Sequence, residues 1–172
     1  MKYFQYTVWA AIFVLGAFLA YSTVNWTMNR QAGNNTATGA DIGGSFAALR
    51  SDGKAITEKD LLGRPHVMFF GFTHCPDVCP TTLYEGSQWL EALGADGDKV
   101  DIYLVTVDPE RDTVEILSDY LSAFDPRIKG ITGSEQQIQQ LIKKWRVYAE
   151  KVPTEDDYTM NHTATTFLLN AK

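Results

Sequence analysis

The order of apolar and polar residues divides the chain into three zones. Residues 3–29 carry no charge and enclose an apolar centre at residues 8–20. Because roughly 20 apolar residues span the hydrocarbon core of a bilayer as a helix, this pattern predicts a transmembrane anchor within residues 1–28. Residues 29–40, NRQAGNNTATGA, are small and polar and predict a flexible linker. The third zone, residues 41–172, is predicted to form one folded domain.

The uncharged N-terminal segment indicates export in either of two ways. Aromatic residues at both of its ends suit the two membrane interfaces, where amphipathic rings settle. The alternative is a signal peptide cut after Ser22, which would place Ala20 at the minus-three position. With Lys2 and the α-amino group retained inside, the favoured interpretation is a single-pass protein of a bacterial inner membrane whose soluble domain faces the periplasm.

Strand and helix patterns alternate through the third zone. Apolar or β-branched runs predict strands at 66–72, 100–107, 145–152 and 162–169, and helical spacing predicts helices at 81–94, 112–124 and 133–145. The last two helices open with patterns typical of capping boxes, Asp112 with Glu115 and Ser134 with Gln137. Strand–helix–strand units of these lengths require a parallel sheet with right-handed crossovers, so the predicted fold class is α/β.

Composition and charge narrow the class of protein further. The chain is 45% hydrophobic and 21% charged, as is usual for a globular protein. Lys2 and Arg30 are the only charged residues before Asp41, which leaves 13 of the 15 basic residues against all 21 acidic residues. A surface this negative repels phosphate backbones, so nucleic acid is excluded as a partner.

The chain's two cysteines lie in FFGFTHCPDVCP, with three residues between Cys75 and Cys79. They follow a predicted strand and precede its helix, at the carboxyl edge of the sheet, where a helix N-terminus favours thiolates. If the helix has begun, positions i and i+4 share a face and both sulfurs converge on one atom. Two such thiolates form a soft site for Cu(I), or for Zn(II) with further ligands. A redox pair, an incidental disulfide and two small buried side chains are the alternatives.

Three histidines are candidates for a third ligand. His66 opens a core strand, where packing is the favoured interpretation, and His74 adjoins Cys75 but should point away from it. His162 precedes the last predicted strand. If that strand lies beside strand 66–72, then His162 arrives at the edge of the sheet that carries the cysteines. It is therefore the best candidate.

Two polar segments have local interpretations. In VDPERDT the favoured interpretation is a proline turn with Asp112 as a helix cap and Arg111 pairing locally, over a direct ligand role for Asp108. The acidic residues 155–157 predict a solvated loop, with docking to a basic partner as the alternative.

Four ordered segments resemble the Sco/SenC family of membrane-anchored copper proteins that help to assemble cytochrome c oxidase. They are GFTHCPDVCPTTL, VDPERDT, FDPRIKGITGS and the late NHT, and residues 42–65 resemble that family's opening hairpin. The resemblance implies a thioredoxin-like fold in which Cys75, Cys79 and His162 hold Cu(I) or Cu(II). It also implies that copper comes from an upstream copper donor and is delivered to the binuclear copper site of the oxidase subunit that receives electrons from cytochrome c.

The chain departs from the family pattern in two places. Asn161 stands where the family usually has Asp before the histidine, which puts carboxylate tuning of that ligand in doubt. The family also continues past the final strand with another strand and a helix, whereas the sequence stops at Lys172. If Lys172 is the true end of the protein, we expect one edge of the sheet and part of the core to lack cover.

Two principal functions compete, and a third is weaker. A metallochaperone needs all three donors, whereas a thiol–disulfide oxidoreductase that keeps the oxidase cysteines reduced needs only the two sulfurs. The three-residue spacer favours the metallochaperone. So does a histidine at the place where thioredoxin-like reductases carry a cis-proline, since the nearest proline is Pro153. Peroxide detoxification on the same fold would need a single peroxidatic cysteine.

Overall fold

The computed structural model describes residues 42–171, and their central feature is a six-stranded sheet. The strands are β1 (Ala47–Arg50), β2 (Ala55–Thr57), β3 (His66–Gly71), β4 (Asp101–Thr106), β5 (Ile128–Thr132), β6 (Ala149–Pro153), β7 (Tyr158–His162) and β8 (Thr166–Leu169). The helices are α1 (Val78–Leu93), α2 (Val114–Leu121) and α3 (Glu135–Lys144). The sheet has the order β2–β1–β5–β4–β3–β8, and β6 and β7 form a separate antiparallel pair.

The predicted anchor at residues 1–28 and the linker at residues 29–40 lie outside the described residues. From residue 42 onward, the structure holds no helix with the length and apolarity needed to cross a bilayer.

The sheet is parallel only at its centre. β3, β4 and β5 run parallel, as helical crossovers require. β1 is antiparallel to β5, and β8 is antiparallel to β3. The prediction of a parallel sheet is therefore right for the three central strands and wrong for the edges. All six residues of β3 are buried, which confirms that this apolar run is a strand covered on both faces.

Helices cover both faces of the sheet. Leu83 and Leu90 of α1, with Leu117 of α2, pack on one face, whereas Ile138 and Leu141 of α3 pack on the other. Each of these side chains is fully buried and contributes about 1.5–3 kcal/mol. The carboxyl ends of β3 and β4 emerge between these layers, which fixes the place of the site.

The capping predictions have different outcomes. The capping box of Ser134 and Gln137 is present at the start of α3. The capping box of Asp112 with Glu115 is wrong, because Thr113 caps α2 by accepting a hydrogen bond from the Ile116 N–H. Asp112 is instead fully buried in a network described below.

The C-terminal part also differs from the prediction. The single strand predicted at 145–152 begins later, as β6, and the strand predicted at 162–169 is divided between β7 and β8. His162 therefore ends β7 and does not lead β8. β8 does lie beside β3, with Thr166 opposite Phe69. It forms an edge of the described sheet, where Leu168 is 78% exposed.

Candidate metal centre

The first half of the site is the cysteine arm, residues 71–79, which joins the end of β3 to the first turn of α1. Helix α1 begins at Val78, earlier than predicted, so Cys75 lies in the preceding loop and Cys79 lies in the helix. The predicted reason for convergence, a shared helical face, is therefore wrong. The loop instead turns back on itself, with the Cys75 N–H donating to the Phe72 carbonyl at 3.2 Å, and this turn brings the sulfurs together.

Cys79 packs directly against the end of β3. Its side chain is only 1% exposed, and a Cβ placed on Gly71 would lie 2.6 Å from Cys79 Sγ and 3.1 Å from Leu104 Cδ1. The sulfur thus occupies space that any larger residue at position 71 would need. Cys75 is half-buried, and both cysteines are free thiols. One sulfur is therefore enclosed by the core and the other faces outward.

The two sulfurs differ in acidity because their surroundings differ. Burial raises the pKa of Cys79 to about 12, further than the Phe72 backbone donor lowers it. Burial also acts against ionisation of Cys75. There the backbone donors of Asp77, Val78 and Cys79, together with the Cys79 thiol, outweigh it and lower the pKa. Cys75 is therefore the more readily ionised of the two sulfurs, and the Cys79 thiol is placed to donate a hydrogen bond to it.

The second half of the site is the histidine arm, the β6–β7 hairpin of residues 149–162. His162 ends it, with Nε2 at 4.0 Å from Cys79 Sγ. Its Nδ1 lies 3.1 Å from the Thr163 carbonyl oxygen, which accepts only if Nδ1 carries the proton. The Nε2 lone pair is then directed at the sulfurs. The Phe72 ring packs edge-to-face against the imidazole at 5.7 Å between centroids.

These three side chains fit a metal ion. Cys75 Sγ, Cys79 Sγ and one His162 ring nitrogen all lie within 4.8 Å of one another. Metal–ligand bonds of ~2.0–2.3 Å to sulfur and nitrogen would place such donors roughly 3.5–4 Å apart, so only a small contraction is needed. Beside them opens a cavity of about 240 Å³, lined by Cys75 and His162, by apolar residues such as Pro76 and Val78, and by polar residues such as Asp77. The site is therefore accessible from one side.

The other two histidines do not reach these donors. His66 is buried at the amino end of β3, where Nδ1 lies 3.3 Å from the Arg64 carbonyl oxygen. His74 is exposed, and its Nδ1 lies 3.1 Å from Thr73 Oγ1. The structure thus brings together the three residues proposed as ligands, and it leaves out His66 and His74, for which other roles were favoured. That the three bind metal stays a prediction.

Sequence reasoning missed the carboxylate that supports the cysteine arm. Asp112 accepts hydrogen bonds from the Thr73 N–H at 3.1 Å and from the hydroxyls of Thr73 and Thr106, each at 2.6 Å. Burial raises the pKa of Asp112, although these donors oppose the shift. The available signal was that Thr106 ends β4 and Thr73 follows the end of β3, so both threonines lie at the same edge of the sheet. Asp112 ties that edge to the loop that carries Cys75.

Asp108 lies outside the group of converging donors. It is fully buried, and Arg111 Nε donates to it at 2.5 Å while the Tyr158 hydroxyl donates at 2.9 Å. The predicted local pairing of Arg111 is therefore present. The acidic residues 155–157 are exposed, and Asp157 pairs with Arg111 at 2.9 Å.

The fold and the site define a class: a thioredoxin-like α/β protein with two cysteines and a histidine converging at the carboxyl edge of its sheet. A family model described as SCO1/SenC matches residues 34–172. The chain belongs to the SCO1/SenC family, as its motifs predicted.

Named relatives agree with this assignment. Protein SCO1 homolog 1, mitochondrial, of Arabidopsis thaliana is 40% identical over 134 residues, covering 76% of this chain and 40% of that protein. Protein SCO2, mitochondrial, of Saccharomyces cerevisiae is 33% identical over 181 residues, covering 98% of this chain and 60% of that protein. The chain thus spans about two fifths to three fifths of the length of these curated relatives.

Solved structures share the fold. Bradyrhizobium japonicum ScoI with copper bound is 52% identical with a TM-score of 0.74, and the match covers 76% of this chain and 83% of that one. Yeast Sco1 with copper bound is 36% identical with a TM-score of 0.69, covering 76% and 75%. The mixed α/β thioredoxin-like architecture is that of these Sco proteins.

Proposed function

We propose that this chain is a membrane-anchored metallochaperone that binds copper and delivers it to the binuclear copper site of cytochrome c oxidase during assembly. The observation that carries the proposal is the convergence of Cys75, Cys79 and His162 within 4.8 Å. Two thiolates and an imidazole suit copper. Family members 52% and 36% identical to this chain have been solved with copper bound.

Each donor has a distinct part in holding this cargo. Cys75 offers the more acidic sulfur at the accessible side, whereas Cys79, with its raised pKa, must release its proton as the metal enters, because only deprotonated sulfur ligates. His162 offers Nε2, with its tautomer set by the Thr163 carbonyl. The enclosed sulfur secures the metal, and the half-buried Cys75 and His162 remain within reach of a partner.

The location and the partners are part of the same proposal. The uncharged residues 3–29 support a single-pass anchor in a bacterial inner membrane, with the copper domain in the periplasm. The partners are then an upstream copper donor and the copper-site subunit of the oxidase. An alkaline phosphatase fused after Lys172 should be active and membrane-bound. Activity in the soluble periplasmic fraction would show that the segment is cleaved.

Copper binding to the full chain in detergent tests the function. The wild-type chain should bind one copper ion per chain. His162→Ala should weaken Cu(II) binding by at least ~10–100-fold, since losses further from the metal already cost that much. Cys75→Ser and Cys79→Ser should abolish binding and oxidase assembly in a deletion strain. A wild-type chain that binds no copper would overturn the proposal.

Reduction of the partner's disulfide is the second candidate, favoured by the lowered pKa of Cys75 beside the Cys79 sulfur. The Cys75 thiolate would attack the partner's disulfide and release one thiolate, and Cys79 would then displace the second. Two electrons pass to the partner as the Cys75–Cys79 disulfide forms. This chemistry does not need His162. If His162→Ala still assembles oxidase at low copper while neither cysteine variant does, the reductase replaces the chaperone.

A further inference from the structure

The histidine arm is a separate two-stranded sheet and must be fixed to the rest of the protein by side chains. Its inner face presents Tyr158, Met160 and His162, which alternate along β7 and are all at least partly buried. Met160 enters the core, and His162 packs on Phe72. Tyr158, at the other end of the strand, contacts the loop at residues 107–113 that follows β4.

Arg111 of that loop makes three polar contacts in two directions. Its Nε donates to Asp108 at 2.5 Å, and its Nη1 donates to the Tyr158 carbonyl at 3.0 Å and to Asp157 at 2.9 Å. Its guanidinium carbon also lies 3.8 Å from the centroid of the Tyr158 ring. The Tyr158 hydroxyl in turn donates a hydrogen bond to Asp108 at 2.9 Å. Arg111, Asp108 and Tyr158 thus form a closed set of contacts between the loop and β7.

The base of this set is buried, and Arg111 is largely shielded from water. Asp108 is fully buried, and its N–H donates to the Thr106 hydroxyl at the end of β4 at 2.9 Å. The Arg111 side chain is only 16% exposed. Charge-assisted hydrogen bonds shielded from solvent are stronger than those on the surface, and their geometry is more fixed. Lys151 of β6 adds an ion pair with Glu110 of the same loop.

We propose that Arg111 is a positioning residue for the metal site, which holds the histidine arm so that His162 Nε2 faces the two sulfurs. Tyr158 and His162 are on one face of one short strand, so a rotation or shift of β7 at Tyr158 moves the imidazole as well. An arginine is required for two reasons. Its planar guanidinium carries separate N–H groups that reach Asp108 and Tyr158 at once, and its flat surface stacks on the Tyr158 ring, whereas a lysine has neither feature. The inference rests on the proposed copper site and concerns its geometry.

The test compares the wild-type chain with Arg111→Lys and Tyr158→Phe, each as the full chain in detergent. Arg111→Lys keeps the positive charge beside Asp108 but loses the second N–H donor group and most of the stacking on the Tyr158 ring. Tyr158→Phe keeps the ring and loses only the hydroxyl contact to Asp108. The matched control is Arg127→Lys. Arg127 lies at the opposite edge of the sheet, and its Nε and Nη2 donate to the two carboxylate oxygens of Asp125 at 2.9 and 2.7 Å.

Two readouts separate positioning from a general loss of stability. Hydrogen exchange of the metal-free chain should become faster in residues 149–162 of Arg111→Lys and stay unchanged in β3 and β4. Cu(II) affinity should fall by about tenfold, at the lower end of the range for outer contacts, with a changed thiolate-to-copper charge-transfer band. Tyr158→Phe should act in the same direction by a smaller factor, and Arg127→Lys should change neither readout.

Three results would overturn the inference. They are unchanged exchange of the histidine arm in Arg111→Lys, faster exchange spread evenly over the sheet, and an Arg127→Lys effect on copper as large as that of Arg111→Lys. A wild-type chain that binds no copper is a different failure, because it removes the proposed function and the copper part of this inference with it. The exchange data would still decide whether Arg111 holds the arm.

Discussion

The cysteine arm follows a strand whose six residues are all buried, whereas the histidine arm is a hairpin whose strand β6 is almost wholly exposed. Cys79 is enclosed between Gly71 and the core, and Asp112 braces the loop that carries Cys75. His162 is half-buried, and the strand that carries it is held by Met160 in the core, by Phe72 and by the contacts around Arg111.

The difference shows that one metal site can have two kinds of support. Changes in the cysteine arm disturb the hydrophobic core, so they should alter both the stability of the fold and the position of the sulfurs. Changes in the histidine arm at positions other than Met160 disturb a few polar contacts, so they should alter metal binding with little effect on the free energy of unfolding.

The largest expected effect concerns the two sulfurs of the cysteine arm. Since the pKa of Cys75 is lowered and that of Cys79 is raised to about 12, Cys75 holds far more thiolate near neutral pH. In metal-free protein, iodoacetamide should alkylate Cys75 at least ~100-fold faster, given a tenfold change per pH unit of separation. The Cys75 rate should rise at pH values below the ordinary thiol range, and the Cys79 rate only in strong alkali.

Mass spectrometry of the two peptides, at early times and over a range of pH, measures both rates. Equal rates at neutral pH would mean that the core does not enclose Cys79 as the structure indicates.

The next effect comes from adding one methyl group to the cysteine arm. Gly71→Ala would place a Cβ 2.6 Å from Cys79 Sγ. Overpacking of this kind should lower the free energy of unfolding by ~1–3 kcal/mol and displace the sulfur, so copper affinity should fall as well. Denaturant unfolding and copper titration measure the two.

Gly86→Ala is the matched control for that substitution. Gly86 lies inside α1, and a Cβ added there would lie 3.5 Å from Ile102 Cδ1, an ordinary van der Waals distance. Alanine also has a higher helix propensity than glycine. Gly86→Ala should therefore be neutral or stabilising. A Gly71→Ala chain as stable as this control would show that the end of β3 has room that the structure does not predict.

A smaller effect is expected from the carboxylate that braces the Cys75 loop. Asp112→Asn keeps one acceptor oxygen but turns an NH₂ group toward the donors of Thr73 and Thr106. We expect a loss of about 1–2 kcal/mol in the free energy of unfolding. Asp119→Asn, exposed on α2, should change it by less than about 0.5 kcal/mol. Equal losses for the two variants would contradict the bracing role.

The contacts that hold the two arms differ in whether the sequence could predict them. The apolar run of β3, the capping box of Ser134 and the approach of the late histidine to the cysteines are local or topological features, and the sequence predicted them. The contacts of Asp112 with Thr73 and of Arg111 with Tyr158 join residues 39 and 47 positions apart. Nothing in the local pattern distinguishes a carboxylate that caps a helix from one that turns inward, so Asp112 was assigned to the wrong role.

The predicted boundary of the last strands was wrong for a related reason. Residues 162–169 read as one β-rich run, but the chain leaves the hairpin at His162 and joins β3 only from Thr166. Which strand a residue pairs with is decided by partners distant in sequence.

The smallest expected effect is that of restoring the usual family residue before the histidine. Asn161 is exposed on the outer face of β7 and pairs in register with Glu150 of β6. Asn161→Asp would place like charges opposite each other, which should destabilise the hairpin by ~0.2–1 kcal/mol, with copper affinity changed by less than tenfold. A larger gain in affinity would show that a carboxylate at this position acts on the imidazole.

X-ray absorption of the copper-loaded full chain tests the central claim most directly, because it identifies the atoms bound to the metal. The account predicts two sulfur neighbours and one imidazole nitrogen in the wild-type chain, with the imidazole signal lost in His162→Ala. A copper ion with no sulfur neighbours, or an imidazole signal unchanged in His162→Ala, would contradict the assignment of Cys75, Cys79 and His162 as its ligands.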